Sequence, residues 1–220
     1  MNIKQSVIFI LILITTAGGF AQEKPFWNDI QTIKQYDKIY APPKQPILFV
    51  GSSSIRYWHN LSQIYCDHTV LNRGFGGSKI NDVVNYVDDI ITPYNPKQII
   101  IYVGENDLLN EKLNGDSIFH RFKDLYHTIR VRHPEIPVAY ISIKPSPVLE
   151  RFIDKARSAN HLISRYLKTQ PNSVFIDVFT PMLDKDGKTR PELFLTDRLH
   201  MNSLGYKIWE DMVRPHLLKN

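Results

Sequence analysis

Apolar and polar positions change period along this chain, and the changes divide it into elements. Over residues 25–40, Phe26, Ile30, Ile33, Tyr36 and Ile39 recur at helical spacing, and Ala41-Pro42-Pro43 ends the helix. Ile47-Leu48-Phe49-Val50 is then a continuous apolar run closed by Gly51, the pattern of a strand buried on both faces. Four more such runs follow, over residues 69–71, 98–103, 138–143 and 174–178. Amphipathic stretches over 80–91, 118–133 and 152–167 separate them. Parallel neighbours need a crossover, and a helix is the usual one, so this alternation predicts an α/β fold. The expected architecture is a three-layer α/β/α sandwich around a five-stranded parallel sheet. A last helix is expected after Asn202 or Ser203 as its cap, docking through Leu204, Ile208, Met212 and Val213.

Composition narrows the class of protein. A chain of 220 residues with 43% hydrophobic and 22% charged residues can bury a core, which excludes a disordered or fibrous chain. Cys66 is the one cysteine, so neither a disulfide framework nor a CxxC metal or redox site is available. The net charge of +5 is dispersed, without a basic run or interleaved aromatic and arginine residues, and no nucleic-acid partner is expected.

The amino terminus reads as a targeting segment. Lys4 precedes an apolar stretch over residues 7–14, about half of what crosses a bilayer, and Gly19-Phe20-Ala21 fits a signal-peptidase site before Gln22. Residues 1–21 are therefore expected to be a signal peptide and 22–220 one domain, exported to the periplasm or secreted. A retained amino-terminal anchor is the alternative; no later run is long enough to span a membrane.

In an open parallel sheet, ligands bind beyond the carboxyl ends of the strands, so chemistry is expected in the residues after each apolar run. Gly51-Ser52-Ser53-Ser54 follows the first run, a turn with three hydroxyls that reads equally well as a plain helix start. Asn72-Arg73-Gly74-Phe75-Gly76-Gly77-Ser78 follows the second; its glycines let backbone N–H groups approach a ligand, or simply make a tight connection. Gly104-Glu105-Asn106-Asp107 follows the third, offering a side-chain amide or an ordinary Asx turn. Lys144-Pro145-Ser146-Pro147 follows the fourth as a stiff loop. Asp197-Arg198-Leu199-His200 precedes the last helix, with a carboxylate placed to orient an imidazole. Each is weak alone; together they are the parts of an acyl-transfer site delivered to one sheet edge.

In this order the blocks resemble those of the SGNH hydrolases, the GDSL esterase and lipase superfamily, over most of the chain from Ile47 to Leu217. The closest flavour is the branch resembling platelet-activating-factor acetylhydrolase catalytic subunits and bacterial acetylesterases. The resemblance implies the flavodoxin-like fold of that superfamily and assigns roles. ILFVGSSSI carries the nucleophile, Ser53; NRGFGGS supplies the backbone donor of Gly77; GEND supplies the amide of Asn106; DRLH gives Asp197 as orienter and His200 as base. The oxyanion hole would consist of Ser53, Gly77 and Asn106. Two positions depart from the usual pattern: Ser52 stands where the family has aspartate, and Glu105 adds a charge beside Asn106, to restrict substrates or to face solvent.

The expected activity is a serine esterase acting on short acyl groups, acetyl foremost, on small molecules or carbohydrates, with neither metal nor organic cofactor. Phe75, Trp58 and Tyr57 are candidates for an apolar or sugar-stacking wall, or for core. The rival from another class is a non-catalytic carbohydrate- or peptide-binding module of the same fold, for which Ser52 is the support. A nucleotide site is disfavoured, since neither GxxxxGK[ST] nor a complete GxGxxG occurs, and a lipase of the GxSxG kind lacks its motif.

Overall fold

The computed structural model describes residues 24–219, so the expected signal peptide lies outside the described residues. All five apolar runs form strands: β1 (Ile47–Gly51), β2 (Val70–Gly74), β3 (Gln98–Tyr102), β4 (Val138–Ile141) and β5 (Ser173–Ile176). They pair in parallel in the order β2-β1-β3-β4-β5. Side chains alternate across the central strands as the pleat requires. Leu48, Val50, Ile99, Ile101 and Tyr140 enter one apolar cluster, while Ile47, Phe49, Ile100, Tyr102 and Ile141 enter the other. Two buried faces call for two helical layers, and the expected α/β/α sandwich results.

The helices are α1 (Trp27–Ile39), α2 (Ser53–Arg56), α3 (Leu61–Ile64), α4 (Ile80–Asn85), α5 (Val87–Ile90), α6 (Gly115–Arg132), α7 (Ile153–Leu167) and α8 (Ser203–Val213). The amphipathic stretch over 80–91 is two short helices, because Tyr86 leaves helical geometry at φ −119° and ψ 12°. Among the described residues no helix is long and apolar enough to cross a membrane.

Asn202 caps α8, its side-chain oxygen accepting from the Leu204 and Gly205 N–H groups at 2.9 and 3.2 Å. The stripe expected for this helix is rotated. Leu204 is 58% exposed, and the buried face is Gly205, Trp209 and Val213, with Ile208 and Met212 only partly covered. Gly205 explains the rotation: a Cβ there would come within 2.5 Å of the Leu193 carbonyl oxygen, so the helix lies closest to the Pro191–Leu193 turn on its glycine side.

The topology sets the position of the site. From β1 the chain moves to β2 on one side and then to β3 on the other, which opens a crevice beyond the carboxyl end of β1. Gly51 lies there, in register with Gly74 on one side and Tyr102 on the other. Its φ is +136°, and a Cβ would sit 1.8 Å from the Tyr102 carbonyl oxygen, so only glycine fits. Gly51 O accepts from Phe75 N–H at 2.9 Å, and Tyr102 O accepts from Ser52 N–H at 2.9 Å. The loops after β1, β2 and β3 are thereby joined at their roots.

Candidate active site

Ser53 is the first residue of α2, where helix geometry leaves its N–H without an intrahelical acceptor. His200 comes from the other end of the chain, and its Nε2 lies 3.1 Å from Ser53 Oγ. Its Nδ1 lies 2.6 Å from Asp197 Oδ2. Asp197 is held in turn, since its Oδ1 accepts from the N–H groups of Leu199 and His200, both at 2.9 Å. The turn that permits this puts Arg198 in the left-handed region at φ 57°.

Desolvation tends to raise the Asp197 pKa, but the hydrogen bonds from Leu199 N–H, the His200 ring and His200 N–H outweigh it and bring the value down to about 2. A carboxylate with no proton can only accept, so Nδ1 of His200 carries the hydrogen. Nε2 is left with a lone pair toward Ser53. The Tyr57 ring stands edge-on to the imidazole with centroids 4.9 Å apart.

The loop after β2 lies directly against the serine, for a Cβ on Gly76 would be 3.8 Å from Ser53 Cβ. Gly77 follows at φ +79°, and its N–H has no protein acceptor among the described residues. Asn106 is close by on the loop after β3. Its side-chain amide donates to Ser52 Oγ at 2.9 Å and to the Ser78 carbonyl at 3.0 Å, which ties the three loops together. Asp107 reinforces the tie by accepting from Ile80 N–H at 3.0 Å and from Arg121 at 2.7 Å. All five residues anticipated from the sequence, Ser53, Gly77, Asn106, Asp197 and His200, are thus gathered at one edge of the sheet.

Packing decides between the other readings left open. Glu105 does not face solvent: it is buried and paired with Lys144, and Ser146 donates to the same carboxylate oxygen. Phe75 and Trp58 are core, each 1% exposed, and of the three proposed wall residues only Tyr57 is open to solvent. It borders a groove of about 450 Å³ beside His200, together with His59, Leu195, Met201 and Tyr206. The sequence pattern marks Phe26 only as a helix position, yet a Cβ on Gly77 would lie 3.7 Å from its ring. Its contact with Phe75, at 5.4 Å between centroids, fixes the ring there. No local pattern signals this contact, which joins residues far apart in the chain.

Solved structures with this fold include a candidate acylhydrolase from Bacteroides fragilis, at 20% identity and TM-score 0.75, covering 88% of this chain and 97% of that one. A GDSL-like lipase from Bacteroides thetaiotaomicron matches at 18% identity and TM-score 0.70, covering 86% and 96%. A family 3 carbohydrate esterase from Talaromyces cellulolyticus matches at 17% identity and TM-score 0.61, covering 77% and 94%. At these identities the likeness is one of fold. No curated protein matches the chain significantly. The model of the GDSL-like lipase/acylhydrolase family matches residues 48–208, well over half of the sequence. The chain therefore belongs to the GDSL-like lipase/acylhydrolase family, within the SGNH hydrolase superfamily, and is a carboxylic ester hydrolase.

Proposed function

We propose that the protein is a short-chain acylesterase, acting foremost on acetyl esters of carbohydrates, with Ser53 as nucleophile, His200 as general base and Asp197 as its orienter. The observation that carries this reading is the unbroken hydrogen-bonded line Ser53–His200–Asp197 at the carboxyl edge of the sheet. Nε2 takes the Ser53 proton as Oγ attacks the ester carbonyl, and the imidazolium that forms is stabilised by Asp197. Negative charge developing on the carbonyl oxygen is received by the N–H groups of Ser53 and Gly77 and by the Asn106 amide, one of whose two hydrogens exchanges its Ser52 or Ser78 acceptor for the substrate oxygen. His200 then gives its proton to the departing alcohol oxygen, leaving an acyl-enzyme. A water, deprotonated by His200, attacks the acyl carbon; collapse returns the proton to Ser53 and releases the acid.

Two features support the choice of substrate. The Phe26 ring beside Gly77 limits the room around the acyl group, which favours acetyl over longer chains. The leaving alcohol departs on the side of His200, where the groove beside Tyr57 has an aromatic wall and a volume that suits a sugar ring. The likeness to a carbohydrate esterase agrees with this reading. With p-nitrophenyl esters from acetate to palmitate, kcat/KM is expected to fall at least about tenfold for each of the first steps beyond the shortest chains. Acetylated sugars should release acetate under the same conditions. A flat profile, or a preference for palmitate, would refute the short-chain assignment.

Export is part of the same proposal, resting on Lys4, the apolar stretch over 7–14 and Gly19-Phe20-Ala21. Mass spectrometry of the protein recovered from its native cells should give a chain beginning at Gln22. An intact Met1 in the cytoplasmic fraction would contradict it.

A further inference from the structure

Behind the oxyanion loop lies a charged cluster that the reaction as described does not use. Glu105 is 2% exposed and Lys144 1%, and the two meet as an ion pair. Ser146 Oγ donates to the carboxylate oxygen that accepts from Lys144 Nζ. The Tyr102 hydroxyl, 3.5 Å from Nζ, and the Tyr102 ring, 5.6 Å from it, complete the lining. Burial pulls the Lys144 ammonium toward deprotonation, and the Glu105 carboxylate opposes that pull.

Such a pair is a poor way to gain stability. Dehydrating both ions is costly, and apolar residues of like volume would serve the fold as well or better. What the pair supplies is direction, because hydrogen bonds to a carboxylate fix an angle and a register that apolar contact leaves loose. The register in question belongs to the neighbouring residue: Glu105 immediately precedes Asn106. Asp107, on the other side, is anchored to Ile80 and Arg121, so Asn106 is held between two fixed points. The same β4 loop reaches the triad, since Val148 N–H donates at 3.2 Å to the carbonyl of Arg198, the residue in left-handed geometry between Asp197 and His200.

We propose that Glu105, Lys144 and Ser146 form a buried brace that positions the Asn106 amide for the oxyanion, by locking the loop after β3 to the loop after β4, which in turn hydrogen-bonds the triad turn. These are positioning residues, acting through Asn106, and the inference rests on the esterase reading above.

The test compares the parent with Glu105→Gln/Lys144→Met, a double variant that leaves no charge buried alone, in the parent and in an Asn106→Ala background. With p-nitrophenyl acetate, the double variant should lose about tenfold to a hundredfold in kcat at a KM within about twofold of the parent. Its melting temperature should stay within about 5 °C. In the Asn106→Ala background the same change should cost less than about twofold, because the residue it acts through is already gone. A purely structural role would give losses that multiply; that result, or a kcat within about twofold of the parent, overturns the brace. Should the double variant not fold, Ser146→Ala, which keeps the ion pair, should lower kcat about threefold to tenfold and likewise show no added loss on Asn106→Ala; multiplying losses again overturn it. A parent without Ser53-dependent hydrolysis would remove the esterase reading and the brace together, whereas an active parent with unaffected variants removes the brace alone.

Discussion

Ser53→Ala should abolish turnover of p-nitrophenyl acetate, lowering kcat by about a millionfold, while leaving the fold in place. The size follows from what the hydroxyl supplies: without Oγ no acyl-enzyme forms, and His200 is left without the proton it is oriented to take. Stability should change little. The residue is 8% exposed and its side chain makes one hydrogen bond, to an imidazole that solvent can reach, so a melting shift of no more than about 4 °C is expected. A fluorophosphonate probe should label the parent stoichiometrically and this variant not at all. Undiminished hydrolysis by Ser53→Ala would sink the assignment. Saturable ligand binding by a parent with no turnover and no labelling would instead favour the non-catalytic binding module.

The second large effect belongs to Asp197→Asn, for which kcat should fall about ten-thousandfold. The amide is nearly isosteric, and its oxygen can still accept from the Leu199 and His200 N–H groups. Its NH₂ then stands where Oδ2 stood, facing Nδ1 of His200. Two donors cannot share that line, so the imidazole keeps its hydrogen on Nε2 and has no lone pair for the Ser53 proton. The same substitution has a pH signature in stability. The Asp197 carboxyl holds its proton more weakly in the fold, at about 2, than at its ordinary value of 3.8. Its hydrogen bonds therefore stabilise the fold fully above the ordinary value, and that contribution is lost as pH falls through the folded one. The gap in melting temperature between parent and Asp197→Asn should accordingly close as pH falls from about 5 to about 2. A gap that widened over that interval, or a variant with near-parental kcat, would contradict the role given to this carboxylate.

Much of this molecule could be read along the chain. Buried parallel strands are short and apolar on both faces, so Ile47-Leu48-Phe49-Val50 and the runs over residues 98–103 and 138–143 stand out within a few residues. Because ligands collect beyond the carboxyl ends of such strands, the residues following each run drew attention for a reason of geometry. Asp197 and His200 could be paired because they are three residues apart, on one turn.

What could not be read depends on partners distant in sequence. Glu105 and Lys144 are 39 positions apart, and neither neighbourhood distinguishes a buried charge from a solvated one; the fold decides it by bringing one carboxylate against one ammonium where water is excluded. The rotation of α8 likewise escaped a count of apolar residues, since Leu204 and Trp209 are both large and apolar, and the near approach allowed by Gly205 selects the face that docks. Ser52 stands in sequence as a missing aspartate, whereas in the fold its hydroxyl accepts from the Asn106 amide. Periodicity is a property of neighbours in the chain and so dictates strands, helices and the edge where chemistry gathers. Which side chains touch, how a helix is turned and which charges are kept dry are set by packing between elements, where the energies of distant residues are first compared.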